Sequence, residues 1–127
     1  MAVKPTVLVI DDDVTIANTL AMVLNISGFE ATAVYSGEHG LELARESPFD
    51  HLVTDVVMPG MNGIDAAVAI RQMLPNCHIL LISGNINTSE LLDLAAAKGH
   101  AFNILAKPVH PTFLLEQMRS PGMTRYE

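Results

Sequence analysis

Cysteine, aromatic and basic residues are all scarce in this sequence, and each shortage narrows what the protein can do. With a single cysteine, Cys77, the chain has no internal disulfide, and we interpret Cys77 as a buried residue at a strand edge. Seven Lys and Arg against 14 Asp and Glu give a net charge of −7. Direct binding of nucleic acid is therefore not expected, because such binding depends on neutralising phosphates. The apolar runs are also far shorter than the roughly 20 residues of a membrane helix.

The remaining composition is that of one compact domain. Half of the 127 residues are hydrophobic and 17% are charged, and the mean hydropathy is +0.33. The start of the chain lacks the apolar stretch of a secretory signal, so we expect a soluble cytoplasmic protein that binds no membrane. Five histidines lack the close spacing of a zinc site, and we interpret them as solvated or loop residues. They are His39, His51, His78, His100 and His110.

Short apolar runs alternate with helical patterns along the chain, which is typical of a parallel sheet covered by helices on both faces. We predict strands at residues 7–10, 29–35, 51–54, 78–82 and 102–106. The second run is the least apolar, so it is assigned to an edge of the sheet. Helices are predicted between residue 16 and Gly28, over 37–46 and 64–73, from Thr88 or Ser89 to Lys98-Gly99, and over 111–118.

Side chains with useful chemistry follow four of these strands. Asp11 and Asp12 follow the first strand, Asp55 the third, Ser83 the fourth and Lys107 the fifth. Because the carboxyl ends of parallel strands open onto one crevice, we expect these five side chains to share a pocket. Carboxylates so close raise each other's pKa, and a hard cation such as Mg²⁺ removes that cost. Asp55 could then accept a phosphoryl group, with Ser83 and Lys107 contacting its oxygens.

These motifs closely resemble the receiver domain of two-component response regulators. Residues 7–13 resemble the acid-pair strand of that family, residues 55–63 its phosphoacceptor loop, and Ser83-Gly84 and Lys107-Pro108 its remaining signatures. The resemblance implies an α/β, flavodoxin-like fold, which is a doubly wound five-stranded parallel sheet in the order 2-1-3-4-5 with five helices. It also implies that a partner histidine kinase or phosphotransfer protein phosphorylates Asp55. We predict a receiver domain over residues 4–119 and a tail or linker stub over 120–127.

The resemblance further implies a Mg²⁺ cofactor with a specific set of ligands. Asp12 and Asp55 would bind the metal directly, the backbone carbonyl of Val57 would be a third ligand, and Asp11 would hold a metal-bound water. Such a domain is a signalling switch rather than an enzyme, since it catalyses only its own phosphorylation and dephosphorylation.

The remaining implied roles concern the response to phosphorylation. Ser83 would move toward the phosphoryl group, and the peptide bond between Lys107 and Pro108 would be cis. The change would pass to the face formed by the fourth helix, the fifth strand and the fifth helix. That face would meet an output domain, a protein partner or a second copy of the chain.

One position departs from the usual family pattern, and two others bear on the loss of the phosphoryl group. Ile104, three residues before Lys107, stands where an aromatic switch residue is usual, and Phe102 precedes it on the same face of the strand. Val57 and Asn85 flank the expected path of attacking water, and apolar Val57 cannot orient that water. We therefore predict slow loss of the phosphoryl group compared with receivers that have polar residues at both positions.

Two other interpretations stay open at this point. Residues 7–15 also fit the signature of haloacid-dehalogenase-like phosphatases, with Asp11 as nucleophile and Asp13 as general acid. Those enzymes need a late acidic residue, and neither Glu116 nor Glu127 follows a predicted strand. Asp13 could instead simply cap the first helix. A receiver that acts only as an interaction module, without phosphorylation, is the other alternative.

Overall fold

The computed structural model describes residues 3–84, 88–100 and 102–119. Five strands and five helices alternate along these residues. The strands are β1 Thr6–Ile10, β2 Glu30–Val34, β3 His51–Asp55, β4 His78–Ser83 and β5 Asn103–Ala106. The helices are α1 Val14–Ile26, α2 Gly37–Glu46, α3 Gly63–Met73, α4 Thr88–Ala97 and α5 Pro111–Arg119.

All neighbouring strands pair in parallel, in the order β2-β1-β3-β4-β5. The predicted α/β fold and sheet order are therefore confirmed, including the edge position of β2. A parallel sheet must be covered on both faces, and the side chains of each strand alternate between two apolar clusters. In β1, Leu8 and Ile10 belong to one cluster, while Val7 and Val9 belong to the other.

Most boundaries differ from the predicted ones by one or two residues, and side-chain caps account for the largest shift. The Asp13 side chain accepts a hydrogen bond from the Ile16 amide and begins α1 at Val14, two residues before the first predicted apolar position. Asn62 caps α3 in the same way and begins that helix at Gly63. Past α1 and α4, Gly28 and Gly99 have positive φ angles, as expected for glycines that end helices.

The two predictions about isolated polar residues had different outcomes. Cys77 is 4% exposed, which confirms it as a core residue, and burial raises the pKa of its thiol to about 11. The prediction for His51 was wrong, because this side chain is 7% exposed. It begins the central strand β3, where the Phe29 ring covers it edge-on at 5.9 Å and the His78 ring lies 5.3 Å away. His39, His78 and His110 are exposed, as predicted.

None of the described helices is long and apolar enough to cross a membrane. Asn85 and the predicted tail over residues 120–127 lie outside the described residues.

Candidate functional site

The predicted site residues meet at the carboxyl edge of the sheet. Asp11 and Asp12 follow β1, Asp55 ends the adjacent strand β3, Ser83 ends β4, and Lys107 follows β5. Asp11 is fully buried, and Asp55 and Ser83 are each 7% exposed, whereas Asp12 is exposed. The side chains of Asp11, Asp12, Asp55 and Lys107 thus form one group, which is buried at Asp11 and Asp55 and exposed at Asp12, and Ser83 ends the neighbouring strand.

The three carboxylates form a compact oxygen cluster. One carboxylate oxygen from each of Asp11, Asp12 and Asp55 lies within 4.8 Å of the other two. Within the described ranges, no other group of three His, Cys, Asp or Glu residues is this close. Oxygen donors of this kind suit a hard cation such as Mg²⁺, which keeps several waters and needs few protein ligands. The donor set therefore fits the metal that the sequence predicts.

Lys107 bridges two of these carboxylates. Its ammonium lies 2.9 Å from Asp11 Oδ2 and 3.3 Å from Asp55 Oδ1. Asp11 Oδ2 is buried, and Lys107 is its ion-pair partner. Burial acts to lower the pKa of Lys107, but the contacts with Asp11 and Asp55 outweigh burial and raise that pKa. The lysine is therefore a fixed positive charge at neutral pH.

The charges around Asp55 favour the binding of a cation. Burial raises the pKa of this carboxyl, the neighbouring Asp11 raises it further, and Lys107 offsets part of the effect. One ammonium faces three carboxylates, so the crevice keeps an excess of negative charge. A divalent cation would relieve this repulsion and hold Asp55 in its ionised, nucleophilic form.

Tight backbone contacts hold both ends of the loop between β3 and α3. The Val56 amide donates to the Ile82 carbonyl at 3.1 Å, and the Gly63 amide donates to the Val56 carbonyl at 2.8 Å. A Cβ atom at Gly63 would overlap the Asp55 carbonyl oxygen, so only glycine permits this approach. The Val57 side chain is half exposed. The loop geometry thus fixes the backbone directly after Asp55.

The cis peptide bond between Lys107 and Pro108 is present, as the sequence predicts. The Lys107 amide donates to the Ser83 carbonyl at 3.0 Å, which links the ends of β4 and β5. Three residues before Lys107, Ile104 of β5 is partly buried, and it packs with Phe102 against the same apolar cluster. The prediction that these two residues share a face of the strand is confirmed. The Arg71 guanidinium of α3 lies 5.0 Å from the centre of the Phe102 ring.

Asp13 has a structural role. Its carboxylate accepts the Ile16 amide at 3.1 Å, and its own amide donates to Asp11 Oδ1 at 2.9 Å. It therefore caps α1, which is the simpler of the two interpretations drawn from the sequence, and it helps to orient Asp11. This arrangement gives no support to Asp13 as the general acid of a phosphatase.

The sequence did not indicate one contact close to the site. The Glu38 side chain of α2 accepts a hydrogen bond from the Met61 amide, in the loop after Asp55, at 3.1 Å. These two residues are 23 positions apart, and no local pattern relates them. Only the packing of α2 beside the loop could have identified the pair.

Comparison with known proteins gives a consistent result. The family model described as the response regulator receiver domain matches residues 7–119. The DNA-binding response regulator MtrA of Mycobacterium tuberculosis is 30% identical over 117 residues, which cover 92% of this chain and 50% of MtrA. The autoinducer 1 sensor kinase/phosphatase LuxN of Vibrio harveyi is 34% identical over 88 residues, which cover 69% of this chain and 10% of LuxN.

Solved structures agree with the sequence matches. The structure of the chemotaxis protein CheY4 from Vibrio cholerae superposes with a TM-score of 0.82 and 27% identity, covering 92% of this chain and 98% of that one. The chain therefore spans nearly the whole of the CheY4 chain, but only about half the length of MtrA.

Proposed function

The chain belongs to the response regulator receiver domain family, and from this premise we propose that it is a signalling switch that accepts a phosphoryl group at Asp55. The observation that carries the proposal is the position of Asp55 in the crevice. It lies 3.3 Å from the Lys107 ammonium and beside two further carboxylates, at the meeting point of the strand ends. Family membership also supports this proposal over the phosphatase interpretation.

The proposed reaction is a transfer between two nucleophiles. An Asp55 carboxylate oxygen forms a bond to phosphorus while the bond from phosphorus to a histidine nitrogen of the donor breaks. The electron pair of the broken bond stays on that nitrogen, which the donor protein can then protonate. The product is an acyl phosphate on Asp55, and a later attack by water returns the carboxylate and inorganic phosphate. Since the chain only turns over its own modification, it is not an enzyme acting on an external substrate.

Four residues would hold Mg²⁺ in this reaction. We assign Asp12, Asp55 and the Val57 carbonyl as direct ligands and Asp11 as the acceptor for a metal-bound water. The close carboxylate cluster and the excess negative charge support this assignment. When bound, the metal supplies positive charge that offsets the charge developing on the transferring oxygens.

The remaining polar side chains would act on the phosphoryl group itself. The Lys107 ammonium, already next to Asp55, would pair with one phosphoryl oxygen, and the Ser83 hydroxyl would donate to another. The Lys107 amide donates a hydrogen bond to the Ser83 carbonyl and so joins the ends of β4 and β5. A shift of Ser83 would therefore also move the end of β5.

We propose that this shift is relayed through Ser83 and Ile104 to the face of α4, β5 and α5. The partly buried position of Ile104 on β5, next to that face, supports the route. The face would meet an output domain, a protein partner or a second copy of the chain. The donor would be a histidine kinase or phosphotransfer protein of the cytoplasm. The acidic net charge supports a domain that does not itself bind nucleic acid.

The proposal includes a slow return to the unphosphorylated state. The half-exposed Val57 side chain, two residues after Asp55, has no polar group to orient an attacking water, which supports a long-lived phosphoryl group. Asn85 is the second position assigned to this control. We take the switch to be a receiver domain over residues 4–119, with residues 120–127 as a tail or linker.

Labelling with acetyl phosphate, followed by intact-mass spectrometry, tests the proposal. We expect one phosphoryl adduct that needs Mg²⁺ and is absent from Asp55→Asn. A matched control is Asp93→Asn, which removes the same charge at an exposed position of α4 and should be labelled like the parent. No adduct on the parent would favour an interaction module. Steady phosphate release that Asp11→Asn abolishes would favour a phosphatase.

A further inference from the structure

The loop between β3 and α3 is fixed at its two ends, but its middle has few anchors. The end contacts involve Val56 and Gly63. Between them, over residues 57–61, the backbone amides make one hydrogen bond to the described part of the chain, from Met61 to Glu38 Oε2. The Val57 carbonyl lies inside this middle stretch, and the one contact made by the amides of the stretch comes from α2.

Glu38 lies directly against the loop backbone. A Cβ atom added to Gly60 would be 2.7 Å from Glu38 Oε2, so the carboxylate lies against the Gly60 backbone as well as the Met61 amide. Gly60 has a φ of +75°, a conformation that side chains rarely adopt, which lets the loop turn under the carboxylate. Because Gly60 has no side chain, the charged oxygen of Glu38 can lie close to the backbone of Gly60 and Met61.

A second contact from the same helix turn supports this arrangement. A Cβ atom at Gly37 would lie 3.2 Å from Met61 Cβ and Cγ, so the start of α2 packs closely on the Met61 side chain. Backbone and side chain of Met61 are thus both held by the first turn of α2. The alternative is that Glu38 only stabilises α2 by placing an acid near its N-terminus. That role would change the free energy of unfolding but would not change the position of the Val57 carbonyl, four residues before Met61.

We propose that Glu38 is a positioning residue for the metal site. Glu38 holds the loop so that the Val57 carbonyl faces the three carboxylates. The inference rests on the proposed function, in which that carbonyl is a Mg²⁺ ligand. Glu38 acts through the hydrogen bond to Met61, not through its charge. It touches neither the metal nor the phosphoryl group.

The test compares Glu38→Ala with Glu38→Gln, which keeps an acceptor oxygen but loses the charge. Glu42→Ala is the matched control, since it removes the same charge from an exposed position one turn along α2. Three quantities are measured for each protein: the calorimetric Kd for Mg²⁺, the hydrogen-exchange rate of the Met61 amide, and the Mg²⁺ dependence of labelling by acetyl phosphate. Far-UV circular dichroism checks that each variant is folded.

We expect Glu38→Ala to weaken Mg²⁺ binding about threefold to tenfold, the factor that one hydrogen bond supplies, and to speed exchange at Met61. Glu38→Gln should stay within about twofold of the parent, because its amide oxygen accepts the same hydrogen bond. Equal Kd values for Glu38→Ala and Glu42→Ala would overturn the inference, and so would equal losses in Glu38→Ala and Glu38→Gln. A parent that binds Mg²⁺ but takes no phosphoryl group would overturn the proposed function instead, while the Kd values still decide the role of Glu38.

Discussion

Gly63 lies where the loop after the phosphoacceptor returns to begin α3, and the substitution Gly63→Ala tests how closely the two segments must approach. An alanine Cβ would lie 2.8 Å from the Asp55 carbonyl carbon and 3.0 Å from the Val56 Cα, and it would overlap the Asp55 carbonyl oxygen. Carbon atoms in ordinary contact are about 3.5 to 4.0 Å apart, so the two carbon contacts require the segments to separate by roughly 0.5 to 1 Å, and the overlap with the oxygen requires still more. All three atoms are backbone, so no change of rotamer can relieve the clash.

The expected loss of stability follows from three effects. Overpacking of this kind costs about 1 to 3 kcal/mol. Loss of the hydrogen bond from the Gly63 amide to the Val56 carbonyl adds about 1 kcal/mol, while the better helix propensity of alanine returns about 0.5 to 1 kcal/mol. We therefore expect the free energy of unfolding to fall by about 2 kcal/mol. With a urea dependence of about 1 to 3 kcal/mol per molar, the midpoint should decrease by roughly 1 M.

Urea unfolding followed by circular dichroism measures this change. Gly84→Ala is the matched control for stability, because within the described part of the chain its Cβ would meet Lys107 Cβ at 3.7 Å and Cδ at 3.8 Å, which are ordinary contacts. That variant should stay within about 0.5 kcal/mol of the parent. If Gly63→Ala were as stable as Gly84→Ala, the close approach of the loop to Asp55 would not require glycine at position 63.

Two further variants test the electrostatics at opposite ends of the sheet. Burial, and then the nearby His78, lower the pKa of His51 below its ordinary value of 6.5. As the pH drops below about 6.5, the unfolded chain therefore binds more protons than the folded chain, and the free energy of unfolding should fall. Urea titrations over that range should show a smaller slope for His51→Gln, and an unchanged slope would contradict the assignment. Lys107→Met should lower the free energy of unfolding by about 2 kcal/mol without Mg²⁺, because it leaves the fully buried Asp11 without its ion-pair partner. A loss no larger than that of Lys98→Met, at an exposed position, would show that the ion pair contributes little.

The assembly of the site could be predicted from the sequence because it follows from the geometry of parallel strands. Asp11, Asp55, Ser83 and Lys107 each come at the end of an apolar run, and parallel pairing brings those ends to one edge. The identity of the strands needed only the alternation of apolar runs with helical patterns. Even the edge position of β2 follows from its weaker apolar character.

Contacts between elements that are distant in sequence could not be predicted in this way. His51 is buried because Phe29, from the connection before β2, covers the start of the central strand β3. The contact of Glu38 with the Met61 amide depends on how α2 packs beside the loop. In both cases the residue has an ordinary polar context in the sequence, and only the tertiary arrangement gives it a specific role.

The central claim is that Asp55, rather than a neighbouring acid, forms the acyl phosphate. Reduction with borohydride after labelling converts a phosphorylated aspartate to homoserine, and tandem mass spectrometry then identifies the modified position. The account predicts homoserine at position 55 alone, in an amount that depends on Mg²⁺. Homoserine at position 11 or 12, or none in a protein that binds Mg²⁺, would contradict it.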